Sequence, residues 1–280
     1  MNRLEWLDRV TGGEIGMGYL WFVFAMIAVN NFFDTTSYAA RIAGVRSQQL
    51  ALANSFFAMI SFASRTATFL YMPAIASIAQ QSIRLHFNPF YSFLFVILGA
   101  AAGTLGGLLF LPAFEKFYEL GIDRMEKTGN VMGVFKSICL QKSGLQDLAR
   151  CWRPPRVRFW KNVRLQGVPR DMIVLNVILY AFVTIAPIAP YVAAALRPEV
   201  AVTVTGLSPA INSIGVFLLL FLVDPRGAIL MDQGIQRKIP MQVVESSMIL
   251  LTASRLVGTL LSLALLYPAA LFVAFLARFY

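Results

Sequence analysis

Residues 90–114 read FYSFLFVILGAAAGTLGGLLFLPAF, twenty-five consecutive residues without a charged side chain. A helix of that length rises about 37 Å, more than the roughly 30 Å hydrocarbon core of a bilayer. The stretch therefore reads as a membrane-spanning helix. The next residues reverse its character: Glu115–Arg170 carries twelve Lys and Arg side chains. An apolar run beside a strongly basic loop decides the fold class and orients the chain.

Working outward, five more stretches are long and apolar enough to span: about Gly16–Ser37, Leu50–Met72, Asp171–Leu196, Val200–Val223 and Ser247–Leu276. Overall the chain is 58% hydrophobic and only 14% charged, against about 25% charged in soluble domains. The expectation is an all-α, polytopic membrane protein with about six transmembrane helices. It forms one transmembrane domain over residues 1–280, with the basic loop 115–170 inside it. Met1–Glu14 is polar and mixed in charge, not a cleavable signal, and Leu4, Trp6, Leu7 and Val10 fall near one face of a short interfacial helix. Pro187 and Pro190 break the fourth span, and Gly206 and Pro209 the fifth. Such breaks free backbone carbonyls, which bilayers tolerate only inside protein or beside water.

Lys and Arg concentrate on the cytoplasmic side of membranes. Placing loop 115–170 in the cytoplasm puts seventeen of the 24 basic residues inside, including Arg41, Arg46, Arg226, Arg237 and Lys238. Five lie outside, and Arg65 and Arg255 fall within spans. Both termini are then external. The net charge of +10 is thus a topology signal, and a nucleic-acid partner is not expected. The segment WRPPRVRFWKNVR (152–164) interleaves aromatic and basic residues, a pattern suited to anionic membrane lipids.

The chain holds one histidine, His86, and two cysteines, Cys139 and Cys151. No metal site is expected, because a structural zinc alone takes about four such ligands. Both cysteines lie in the cytoplasmic loop and read as reduced thiols. No phosphate-binding loop or nucleophile elbow is present, so no cofactor and no enzymatic reaction is expected.

Three further patterns bear on function. Gly99, Gly103 and Gly107 form a GxxxGxxxG face that lets another backbone approach closely. It serves packing within the chain or a homodimer seam. An offset of 190 residues superposes Asp34 on Asp224, Gly44 on Gly234 and Ala63-Ser64-Arg65 on Ala253-Ser254-Arg255. That suggests a parallel internal repeat of spans 1–2 and 5–6 around a central site. Finally, charged groups inside a span cost roughly 2.5–3.5 kcal/mol, so those present are paired, wetted or functional. Arg65, Arg255, Arg41, Asp34, Asn30, Asp224 and Asn212 are the candidate substrate-binding residues. Asn30, Asp34, Ser37 and Arg41 share one helical face. Guanidinium groups suit phosphate, because their planar fork donates parallel hydrogen bonds. A lock between Asp34 or Asp224 and an arginine is the structural alternative.

The segment DTTSYAARIAGVRSQQLALANSFFAMISFASRTATF (34–69), above all SYAARIAGVR and the following SRT, resembles the Amj family, alternative lipid II flippases of bacteria. The polar segment before Gly16 is longer than the family pattern. The resemblance implies a multi-pass protein of the bacterial plasma (inner) membrane. Its substrate would be lipid II, the undecaprenyl-pyrophosphate-linked peptidoglycan precursor, moved from inner to outer leaflet. A secondary transporter of a small anion and a membrane enzyme acting on a polyprenyl-phosphate lipid share the cationic site and stay as alternatives. A non-transporting scaffold for cell-envelope assembly ranks below both.

Overall fold

The computed structural model describes residues 16–129 and 163–279, without the side chains of residues 65, 210 and 211. The N-terminal segment, both cysteines and most of the 152–164 segment lie outside the described residues. The described residues form ten α-helices: α1 (Met17–Thr36), α2 (Tyr38–Ser47), α3 (Leu50–Leu85), α4 (Phe90–Thr128), α5 (Arg170–Ile185), α6 (Ala189–Leu196), α7 (Ala201–Gly206), α8 (Ser208–Phe217), α9 (Asp224–Ile235) and α10 (Met241–Leu276). A π-helical segment, Leu218–Val223, joins α8 to α9.

The core has two apolar tiers. One contains Leu20, Val23 and Ile27 of α1, Ile75 and Ile78 of α3, Phe93 and Ile97 of α4, Ile185, Val192 and Leu266. The other contains Ile42 of α2, Tyr118 and Ile122 of α4, Met172 and Leu179 of α5, Val244 and Met248 of α10. Long helices run from one tier to the other. Arg46, Glu115 and Glu245 meet beside the second tier, and Lys238 lines the same cavity as Arg46 and Glu245.

Among the described residues, four helical segments are long and apolar enough to cross a membrane, or five if the pair α5 and α6 counts as one span. Leu50–Leu85, where the second span was expected, is 36 residues long but diluted by Asn54, Ser55, Ser61, Ser64, Arg65, Thr66 and Thr68. The break in the fourth span is present: α5 and α6 meet at 47° across residues 186–188. The fifth span is displaced. Its apolar helical stretch is Asn212–Ile235, not 200–223, because the chain turns at Leu207 just after Gly206 and then continues helical through Asp224. Asp224 therefore sits within this segment and not at its end. The helix of the third span also runs past Phe114 to Thr128. Its continuation is amphipathic: Glu115, Tyr118 and Ile122 recur at helical spacing and are buried. Gly129, at φ +70°, ends it in the left-handed conformation that glycine adopts without penalty.

The glycine face of α4 is filled from within the chain. A Cβ at Gly99 would lie 2.8 Å from the Phe24 carbonyl oxygen, and one at Gly103 would lie 2.8 Å from Ala28 Cα. Thus α1 occupies the groove in which a second chain would have to pack. On the other side, Gly258 of α10 sits against the Val177–Ala181 backbone of α5. The offset counterparts have unlike neighbours: α1 lies mainly along α4 but its counterpart α8 along α5, and α3 lies against α1 and α2 whereas its counterpart α10 lies mainly along α5. A structural repeat is not confirmed.

Candidate functional site

One face of α1 carries Leu20, Val23 and Ile27 and then turns polar at Asn31 and Asp34, all at helical spacing. The helix is nearly continuous with α2. Thr35, Thr36 and Ser37 each donate to a backbone carbonyl three or four residues back, Thr35 Oγ1 to Asn31 O at 2.6 Å and Ser37 Oγ to Asp34 O at 2.6 Å. Such back-bonding lets small polar residues stay in a buried helix and bends it slightly. It delivers Tyr38 and Arg41 toward the second tier.

Two ion pairs tie α1 and α2 to the C-terminal half. Arg255 Nη1 of α10 lies 2.6 Å from Asp34 Oδ2, and Arg41 Nη2 of α2 lies 3.0 Å from Asp224 Oδ1. The arginines are nearly closed off, with side chains 4% and 8% exposed; the carboxylates keep 24% and 27%. Each pair therefore has a dry cation and a partly accessible anion.

A tyrosine pair joins the two. Tyr38 Oη and Tyr180 Oη are 2.7 Å apart. Arg255 Nη1 donates to Tyr180 Oη at 3.4 Å, and its guanidinium lies 4.4 Å from that ring's centre. Arg255 Nη2 donates to Asn31 Oδ1 at 3.2 Å. Arg41 stacks on Phe57 at 3.8 Å. The result is a polar thread between the tiers: Asp34, Arg255, Tyr180, Tyr38, Arg41, Asp224. It is incompletely satisfied. Nε of both Arg41 and Arg255 is buried without a hydrogen-bond partner among the described residues. Beside it, Asn176 Nδ2 of α5 donates to Leu251 O and Ser254 Oγ, both at 2.8 Å, fixing α5 against α10.

The structure thus brings together Arg41, Arg255, Asp34 and Asp224. The pairing is crosswise, each carboxylate binding the arginine of the other half. Asn30 lies one turn before Asp34 but outside the thread, with its Oδ1 buried and without a hydrogen-bond partner among the described residues. It faces a cavity of about 410 Å³ between α1 and α3. Arg65 follows Ser64, which lines the same cavity, along α3. Asn212 is exposed on α8 and takes part in neither ion pair. Asn31, one of the polar residues of the first span, joins the site, and Tyr180 and Tyr38 complete it without having been singled out. Tyr38 stands within SYAARIAGVR, so a signal existed there; a lone tyrosine such as Tyr180 gives none.

A second cavity, about 710 Å³, opens at the loop end among Arg46, Gln48, Arg237, Lys238 and Glu245. Next to it Arg46 bridges three helices. It pairs with Glu115 of α4 and, at 2.7 Å, with Glu245 of α10. Arg226 pairs with Asp171 on the same side of the molecule.

A family model described as "Amj: Alternate to MurJ" matches residues 26–277. The chain is similar to a Bacillus subtilis (strain 168) protein described as "Lipid II flippase Amj", 26% identical over 272 residues, which cover 92% of this chain and 97% of that protein. No solved structure matches.

Proposed function

The chain belongs to the Amj family, and from that premise we propose that it is a lipid II flippase, carrying the polyprenyl-pyrophosphate-linked peptidoglycan precursor from the inner to the outer leaflet of the bacterial plasma membrane. It is a transporter and not an enzyme: the lipid changes leaflet, not covalent structure.

The observation that carries the site assignment is the pair of dry arginines, each with an unused Nε donor and a partly accessible carboxylate. A buried guanidinium is strongly destabilising without a counter-anion. A pyrophosphate can replace a carboxylate there without leaving charge uncompensated, and it suits the planar guanidinium fork better. Asp34 and Asp224 then hold Arg255 and Arg41 between substrates. The partial exposure of the carboxylates marks the side from which exchange begins. Arg65 supplies a third cation from α3, Asn30 meets the lipid near its headgroup, and Asn212 sits along the path on α8.

The proposed topology has six spans. Leu50–Leu85 is the additional one: 36 residues rise about 54 Å, and its polar residues suit a helix flanking a wet path. The bent pair α5–α6 counts as one span. With loop 115–170 cytoplasmic, both termini are external and the 710 Å³ basic cavity is a cytoplasmic vestibule for the headgroup. The basic loop rests on anionic lipids of the inner leaflet. Pseudo-twofold symmetry between spans 1–2 and 5–6 stays a reading of the sequence offset. A homodimer would have to use a surface other than the glycine face of α4.

A test is to deplete the resident lipid II flippase of a bacterium, supply this chain and measure lipid II exposed on the outer leaflet. Restored exposure is expected. Failure of a well-expressed, correctly inserted chain would reject the proposal. Uptake of a soluble phosphate or carboxylate without lipid dependence would then favour a small-anion transporter, and a lipid product of altered mass an enzyme.

A further inference from the structure

The cavity between α1 and α3 has a construction that the charged thread does not explain. From α1 it is walled by Met26, Val29, Asn30 and Phe33, one face at i, i+3, i+4 and i+7. From α3 it takes Met59, Ser64 and Ala67 among others. The walls are almost wholly apolar, and the groove opens to the side, where Val29, Phe33, Met59 and Leu70 are exposed. Two polar atoms interrupt this surface: Asn30 Oδ1 and Ser64 Oγ, both buried and without a hydrogen-bond partner among the described residues. Ser64 is 5% exposed. Within a bilayer such atoms are not left unpaired without cost.

An apolar crevice filled by ordinary acyl chains needs no polar atoms. A crevice holding the junction of a lipid, where chain becomes headgroup, does. The position fits that junction. Asn30 is one helical turn from Asp34, whose carboxylate holds Arg255, so the groove and the charged thread lie on adjoining faces of α1.

We infer that the α1–α3 groove holds the polyisoprenoid chain of the transported lipid while its headgroup engages Arg255 and Arg41. This rests on the flippase reading. Asn30 and Ser64 mark where the phosphate-bearing end begins. Beyond Phe33 and Leu70 the chain continues into lipid, and only the headgroup reaches the charged thread.

Two measurements test it. In the first, the full chain in nanodiscs is irradiated with a photoreactive polyprenyl monophosphate, and labelled peptides are mapped. Label on residues 26–33 and 59–70, displaced by unlabelled polyprenyl monophosphate at least tenfold better than by phosphatidylglycerol, is expected. Label spread over all lipid-facing helices, or equal displacement by the phospholipid, would overturn the inference and leave an ordinary lipid-facing crevice. In the second, Ala67→Trp fills the groove, and lipid II transfer is measured in liposomes beside Leu271→Trp, a control on an exposed position of α10. At least a tenfold loss for Ala67→Trp alone, with unfolding unchanged, is expected; wild-type transfer by Ala67→Trp would overturn the inference. If wild type transfers no lipid II but labels specifically, the flippase reading fails and the polyprenyl groove stands.

Discussion

Neutralising Asp34 should damage the protein more than removing Arg255, although both changes break the same pair. The reason is the asymmetry of exposure. Asp34→Asn leaves Arg255 cationic with a side chain 4% exposed, retaining only Asn31 Oδ1 at 3.2 Å and the Tyr180 ring and hydroxyl as partners. Stranding a buried charge in this way costs about 3–5 kcal/mol. Arg255→Met puts an unbranched apolar side chain in its place. It leaves Asp34, 24% exposed, to recruit water or take up a proton; losing a partner there costs about 1–3 kcal/mol. The double variant, Asp34→Asn with Arg255→Met, removes both charges and should lie within about 1 kcal/mol of wild type, because replacing a whole buried pair is often neutral. The assay is unfolding in mixed micelles titrated with sodium dodecyl sulfate, followed by circular dichroism. The two single costs should exceed the double cost by about 3 kcal/mol or more. Additivity within about 0.5 kcal/mol, or Asp34→Asn milder than Arg255→Met, would refute the reasoning.

Three other outcomes follow from the packing. Gly103→Leu drives a side chain into the Ala28 backbone, so unfolding measurements should show a loss of about 1–3 kcal/mol or more from overpacking, with no change in oligomeric state. Tyr180→Phe leaves the Tyr38 hydroxyl, 2.7 Å away in the native chain, without its partner; the loss should be about 1–3 kcal/mol, and Tyr38→Phe with Tyr180→Phe together should recover part of it. Arg46→Gln strands Glu115, whose side chain is 4% exposed, and should loosen the loop end of α2, α4 and α10, read as faster hydrogen exchange at residues 115–122 than at 93–100.

The sequence was most informative where physics permits few solutions. An uncharged run such as 90–114 has lipid or a protein core as its only environments, and the Pro187–Pro190 break follows from the missing N–H groups of proline. Arg255, Asp34 and Asp224 stood out because charge in an apolar helix is costly. Their pairing did not: Asp34 meets Arg255 across 221 positions of chain, and no local pattern encodes that. Apolarity alone misjudged the edges. The helix after Phe114 continues because Tyr118 and Ile122 find a buried surface, which only the fold supplies. The glycine face pointed first to packing within the chain but left a partner chain open, and α1 fills it. Tyr180 was invisible because a tyrosine in an apolar helix is ordinary until another hydroxyl lies within 3 Å.

The central claim is that lipid II crosses by engaging the arginines that Asp34 and Asp224 hold. The most direct measurement uses the purified chain in liposomes carrying fluorescent lipid II, with the outer-leaflet fraction followed in time. Wild type should equilibrate the leaflets. The doubly neutral variant Asp34→Asn with Arg255→Gln, which strands no charge, should keep its unfolding free energy and transfer lipid II at a tenth of the wild-type rate or less. Wild-type transfer by that folded variant would contradict the account, leaving the ion pairs as struts between helices.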